Sequence, residues 1–315
     1  MDWLYQLCPT TNAAPELRLD VEGVPAEAVE FLMPPWVRER VPDTVDSEMP
    51  LLLAGAAGEL ATVGAFDGLL SFAVDRPNSG EIRMYCGLPE MRPAWNIIPS
   101  LIMPLLREEL LARSRFLMHS AAVDVLGNGA VLAAPSGGGK TTTTLALVRH
   151  GARLVSDDLI ALEVQGDQVL AHGLPKLLNL REPTVKFFEE LRHCERAEQR
   201  SPDRLALSPA SVYGASCLTP RCNVRAFYFL SLADGSISAT RLGLEQALPE
   251  LVLNHTFSPT QQTGAPSILT FLDLLARVPI YRVQTGHDPD RLGRWLGEHC
   301  ARQESAAAVD VATAI

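Results

Sequence analysis

Residues 134–141 read Ala-Pro-Ser-Gly-Gly-Gly-Lys-Thr, and two adjacent carboxylates, Asp157 and Asp158, follow after little more than one helix and one short strand. Three glycines allow successive backbone N–H groups to converge on phosphate oxygens. Lys140 adds a positive charge at the β- and γ-phosphates, and Thr141 offers a hydroxyl to Mg²⁺. This is the Walker A pattern with Ala134 where glycine is commoner. The candidate nucleotide-holding stretch is Ser136, Gly137, Gly138, Gly139, Lys140, Thr141 and Thr142; Thr142, Thr143 and Thr144 also read as helix positions, although threonine is a poor helix former. Two carboxylates delivered close to a γ-phosphate can divide the work. One holds the metal and the other accepts a proton from an attacking hydroxyl. A glycine-rich turn before a lysine and a solvated Ser-Asp-Asp turn are the plain alternatives.

The surrounding elements weigh against those alternatives. The run "AVLAAP" (130–135) reads as a buried strand entering the loop, after an Asn128-Gly129 hairpin signal that follows "LMHSAAVDV". A helix over 141–150 leaves the loop with its positive end toward the same anion, and Gly151 supplies its stop. "ARLVSDDLIALEV" then resumes strand character and brings the chain back beside the loop, turning at "QGDQ" into "VLAHGL". Further strands are expected at "VRAFYFLSL" and "SISATRLG", and helices at 183–194, 245–254 and 267–276. Residues 16–112 carry short strand-like runs, "LRLDV", "LLLAG", "LATVGAF", "GLLSFAV" and "IRMYCGL", with turn chemistry at "PNSGE". The apolar spacing over 96–115 predicts a helix joining the halves. The expected organisation is a small β-rich N-terminal domain over 1–112, an α/β domain over 113–302 and a frayed tail over 303–315.

The block "FLMHSAAVDVLGNGAVLAAPSGGGKTTTTLALVRHGARLVSDDL" resembles the catalytic half of the HPr kinase/phosphorylase family. That family carries a histidine ahead of the hairpin, a glycine loop and "RGxRLxxDD", and His119, Lys140, Thr141, Arg153, Asp157 and Asp158 fall on those positions without a gap. The resemblance implies an α/β fold, a P-loop kinase domain of the HPr kinase and PEP carboxykinase type built on a mixed sheet. It implies Asp158 as base or acid, His119 close to the reacting phosphate, Asp157 and Thr141 as metal partners, and ATP with Mg²⁺ as cofactors. A hydrogen-bonded histidine at a strand edge is the alternative for His119. Outside the block the likeness fades: the first 112 residues differ, and the glutamate of the family's "E-[VI]-R-G-x-G" has no partner in "VLAHGLPKLLNL". The chain looks more like HPr-kinase-related proteins of peptide-natural-product cassettes, the lasso-precursor serine kinases and the SynChlorMet cassette protein ScmC. That likeness implies phosphate transfer from ATP to a serine of a peptide or protein. Lys176, Arg225 and Arg241 are further cations without local features that separate them from solvated surface.

The rest of the composition bounds the partners. With 47% hydrophobic and 20% charged residues in 315, the chain reads as an ordinary globular protein. A formal charge of −10 opposes general attraction to nucleic acid or anionic membranes. The N-terminal stretch, with Asp2 and no basic region, does not read as a signal peptide, and no long apolar run appears, so a cytoplasmic location is expected. The six cysteines then read as reduced thiols. Cys217 and Cys222 in "CLTPRC" lack the second close pair that structural zinc would use. A homo-oligomer is compatible with all of this. Three functional readings follow: a serine kinase for a ribosomal peptide precursor or protein; a catalytically inactive nucleotide-binding regulatory subunit; and a small-molecule (free serine) kinase or pyrophosphate-dependent phosphotransferase.

Overall fold

The computed structural model describes residues 18–42, 45, 51–56, 58–66, 69–75, 81–87, 97–173, 177–193, 197–201, 204–253 and 271–312. These fall into two compact units that divide between Ser114 and Arg115. The "PNSGE" turn lies almost wholly outside the described residues, as do Lys176 and the start of the helix expected at 267–276.

In the first unit, β1 (Arg18–Gly23), β2 (Leu51–Ala54), β3 (Leu60–Phe66), β4 (Leu69–Asp75) and β5 (Glu81–Cys86) form one sheet in the order β1-β5-β4-β3-β2. Its strands alternate between two apolar faces, because successive side chains leave a strand on opposite sides. Leu60, Ala73 and Met84 meet Leu101, Ile102 and Leu105 of α3 (Ile97–Ala112). Ala61, Val63 and Phe72 meet Val29 and Met33, contributed by and just after α1 (Ala26–Leu32), and Val37 of α2 (Pro35–Arg38). The helix expected to join the halves is therefore one cover of this sheet.

The second unit is built on a mixed sheet of nine strands. Its main path runs β6 (Arg115–Met118), β10 (Ile160–Gln165), β11 (Gln168–Gly173), β15 (Arg221–Ser231), β8 (Asn128–Ala133), β7 (Ala121–Val125), β9 (Arg153–Ser156). Beside β15 lies β17 (Ile280–Gln284), paired in turn with β16 (Ser238–Leu242). A separate three-stranded sheet has the order β12 (Leu178–Arg181), β14 (Arg204–Leu207), β13 (Ala197–Ser201). Helices α4 (Lys140–Arg149) and α9 (Pro289–Ala312) cover the large sheet and share its core, in which Leu132, Leu145, Leu147, Tyr228 and Leu296 are buried. A Cβ on Gly293 of α9 would lie 2.7 Å from the Ala146 carbonyl, so this close helix pairing needs glycine there. Shorter helices are α5 (Glu182–Phe187), α6 (Pro209–Tyr213), α7 (Leu244–Leu253) and α8 (271–276).

Two elements differ from the sequence expectation. The helix expected over 183–194 is two pieces, α5 and a 3₁₀ turn at Glu189–His193. Phe188 breaks it by adopting an extended backbone (φ −123°, ψ 103°) that buries its ring in the core; that burial outweighs continued helix. The tail expected to fray from 303 instead continues α9 to Ala312, in keeping with the high helix propensity of its Ala, Glu and Gln residues. The stretch "LMHSAAVDV" is β6 and β7 with His119 and Ser120 between them, and "ARLVSDDLIALEV" is β9 and β10 interrupted at 157–159.

Candidate active site

The two interruptions face each other. In the antiparallel register Ala122 pairs with Ser156 and Met118 with Ile160, so His119–Ser120 lies opposite Asp157–Leu159. Both chains leave the ladder at the same level. His119 and Asp158 are thereby turned toward one another, with His119 Nε2 2.8 Å from Asp158 Oδ1. Both side chains keep solvent access, at 43% and 32%, while Asp157 is only 6% exposed.

β8 delivers the glycine loop to the same edge. β7 is antiparallel to both β8 and β9, so the last residues of β8 and β9 lie at one end of the sheet, where Ala133 leads into the loop and Ser156 into the aspartates. Gly137 (φ +79°) and Gly139 (φ +89°) occupy the left-handed region, and Gly139 is the N-cap of α4. A Cβ on Gly138 would stand 2.9 Å from Ala134 Cβ and 3.0 Å from the Pro135 carbonyl oxygen. The loop is thus a backbone cradle that side chains would fill, the form that suits a phosphate. Lys140 Nζ donates to the Ala134 carbonyl oxygen at 2.7 Å, which folds its charge back along the loop.

A cleft of about 570 Å³ joins these parts. It is lined by Ser136 through Thr142, which include every loop residue expected at the site, together with His119, Asp157 and Asp158. Thr141 and Asp157, the expected Mg²⁺ partners, both face it, and a hydroxyl and a carboxylate are hard oxygen donors suited to that cation. Thr143 and Thr144 are buried, and Thr143 also borders the cleft. Arg153 does not line the cleft; it pairs with Asp124, whose Oδ1 also accepts from Gly127 N at 2.7 Å, and so braces the β7–β8 hairpin. Arg225 and Arg241 are exposed on β15 and β16 and do not line it either. Burial pushes the Cys217 thiol up and Cys222 to about 12, which leaves both as protonated core thiols.

Several lining residues escaped the sequence reading. Asn179 and Arg181 reach the cleft from β12, whose Leu178 and Leu180 are fully buried; the two-residue period of the strand sorts them. An "LNLR" alternation signals such a strand but says nothing about what its polar face meets. Thr184 Oγ1 lies 3.0 Å from Thr142 Oγ1 and ties α5 to the loop helix. Phe187 and Leu232, exposed at 50% and 61%, form an apolar rim with Thr285, Gly286 and His287 nearby in the lining. Leu232 and Thr285 directly follow β15 and β17, strands parallel to β8 on the side away from β7 and β9.

A glycine cradle on a helix N-terminus, with a lysine, a hydroxyl and two carboxylates at one end of a mixed α/β sheet, has the chemistry to hold a phosphate. Comparison with known proteins agrees in class. Residues 109–181 match the family model described as HPr Serine kinase C-terminal domain. The HPr kinase/phosphorylase of Exiguobacterium sp. (strain ATCC BAA-1283 / AT1b) is 44% identical over 61 residues, 19% of this chain and 20% of that protein. Those of Geobacillus thermodenitrificans and Shouchella clausii are 28% and 30% identical over 129 residues, 41% of this chain and 36% of each relative. The matches thus span between a fifth and just over a third of these relatives' lengths. A solved structure of the Hpr(Ser) kinase/phosphatase from Coxiella burnetii aligns at 11% identity and a TM-score of 0.35, over 60% of this chain and 98% of that one. No helix among the described residues is long and apolar enough to cross a membrane.

Proposed function

We propose that this chain is an ATP- and Mg²⁺-dependent serine kinase whose second unit is a P-loop domain of the HPr kinase type. It transfers the γ-phosphoryl group to a serine hydroxyl of a protein or ribosomal peptide precursor, and the N-terminal unit helps to recognise that acceptor. The observation that carries the reading is the His119–Asp158 contact at 2.8 Å, in the same cleft as the glycine loop. A nucleotide-binding module needs the loop alone; a carboxylate oriented by an imidazole beside it is acid–base machinery. His119 donates from Nε2 to Asp158 Oδ1 and fixes the plane of the carboxylate, and Asp158 takes the proton of the acceptor hydroxyl. Thr141 and Asp157 would hold Mg²⁺, which supplies charge neutralisation of the phosphates when bound. The loop amides and Lys140 position the polyphosphate.

The likeness to peptide-natural-product cassette kinases selects the first acceptors to try. Incubation with Mg-ATP and either a cassette precursor peptide or a phosphocarrier protein of the HPr type should add ~80 Da, one phosphoryl group, to a serine-containing fragment in mass spectrometry. Binding of ATP with no mass gain on any peptide or protein acceptor, and phosphorylation of free serine instead, would move the assignment to a small-molecule kinase.

A further inference from the structure

We infer that the nucleoside of the phosphate donor lies on the β15 and β17 side of the cleft, with its base stacked on Leu232 and on the imidazole of His287. The inference deepens the kinase reading and rests on it. A nucleoside triphosphate reacts at one end and carries its base at the other. On the kinase reading the glycine loop after β8 holds the phosphates, and His119 and Asp158 mark the reacting end. Asp157 and Asp158 follow β9, which stands two strands from β8 with β7 between them. On the other flank of β8 stands β15, parallel to it, and beyond that β17, parallel to β15. Two strand spacings on either side of β8 are roughly 10 Å each, so the nucleoside leaves the loop toward β15 and β17.

Register sets that flank at the level of the loop. Phe229 of β15 pairs with Ala133, the last residue of β8, and Ser231 pairs with Gln284, the last residue of β17. Leu232 and Thr285 come next, and both line the cleft with Gly286 and His287. The two chain segments are tied into one platform. Thr285 N donates to the Ser231 carbonyl oxygen at 3.0 Å, and a Cβ on Gly286 would stand 3.5 Å from the Gly235 carbonyl oxygen. Gly286 makes this turn in the left-handed region, at φ +61°. His287 Nε2 lies 2.7 Å from Asp234 Oδ1, which joins the segments again and orients the ring. Asp234 occupies that nitrogen, so the imidazole offers its face. An exposed apolar side chain and an oriented ring beside a phosphate site suit a base, because every base has a flat π-face to stack.

The test uses the full chain with Mg²⁺ and compares, by calorimetry, the binding of ADP and of inorganic pyrophosphate, which has two phosphates and no nucleoside. Leu232 and His287 are mostly exposed, so replacing them leaves the core intact. Leu232→Ser should weaken ADP binding by roughly 10-fold while pyrophosphate affinity stays parental. His287→Ala should shift ADP in the same direction, and His287→Phe, which keeps a ring without the bond to Asp234, should recover much of the loss. Parental ADP affinity in both Leu232→Ser and His287→Ala overturns the inference. So does a loss confined to Phe187→Ser, which puts the base against α5, and so does a His287→Phe variant no better than His287→Ala, since the residue then acts through Asp234 alone. Equal loss of ADP and pyrophosphate overturns it too, because the platform then supports the loop and not the base. In each of these cases the parent still binds ADP and the kinase reading stands, whereas a parent that binds neither ligand refutes that reading itself.

Discussion

His119 Nε2 and Asp158 Oδ1 lie 2.8 Å apart although they leave different strands, one between β6 and β7 and the other between β9 and β10. The contact exists because one antiparallel register is broken at the same level on both sides. It makes Asp158 the oriented carboxylate of the pair and gives each residue a distinct signature.

Asp158→Asn keeps the size of the side chain but cannot accept a proton. Transfer should fall by roughly 10²–10⁴-fold while Mg-ATP affinity stays near that of the parent. Phosphopeptide formation and calorimetry on the same preparation separate the two, and a parental rate would place the base elsewhere.

On the proposed reading His119 acts through Asp158, so its loss should not add to the loss of its partner. His119→Ala should slow transfer by less than Asp158→Asn, and the double variant should be no slower than Asp158→Asn alone. Independent multiplication of the two effects would show separate roles.

Asp157 is nearly buried beside the loop and should act on affinity. Asp157→Asn presents a neutral amide, a poorer ligand for a hard cation, and should abolish most of the difference between ATP binding with and without Mg²⁺. An unchanged Mg²⁺ dependence would remove Asp157 from the metal site.

Lys140 lies along the loop with Nζ on the Ala134 carbonyl, so Lys140→Ala should remove nucleotide affinity and transfer together. Fluorescent-nucleotide titration checks this, and ATP turnover at the parental level would exclude the cleft as the active site.

Two histidines outside the cleft should contribute to the loss of stability in acid. Burial lowers both His172 and His299 below the ordinary value of 6.5; at His172 the neighbouring Glu163 opposes the shift and Arg115 adds to it, and at His299 Arg302 adds to it. The unfolded chain therefore takes up these protons first. Stability should be full above about pH 6.5 and decline as pH falls toward the lower folded values. Urea unfolding followed through Trp295, which stacks on His299 with ring centroids 5.3 Å apart, should show the decline. His299→Gln should flatten it in part, whatever the cost of the lost Tyr228 hydrogen bond at 3.1 Å.

The sequence by itself determined the parts whose physics is local. A cradle of three glycines before a lysine, the strand that enters it and the helix that leaves it are contiguous, so residue type and order suffice. Alternation in β3 and β4 and the Asn128-Gly129 hairpin are legible for the same reason. What only the tertiary structure decided depends on register and packing between distant segments. Asp157 and Asp158 look alike in sequence; burial of one and the His119 contact of the other give them different chemistry. Arg181 is invisible until the pairing of β12 buries Leu178 and Leu180 and leaves its alternate face to the loop, and the helix expected over 183–194 breaks because the core takes Phe188. Local propensities are worth tenths of a kilocalorie per residue, whereas burying one large apolar side chain is worth about 2 kcal/mol, so where the two conflict the packing prevails.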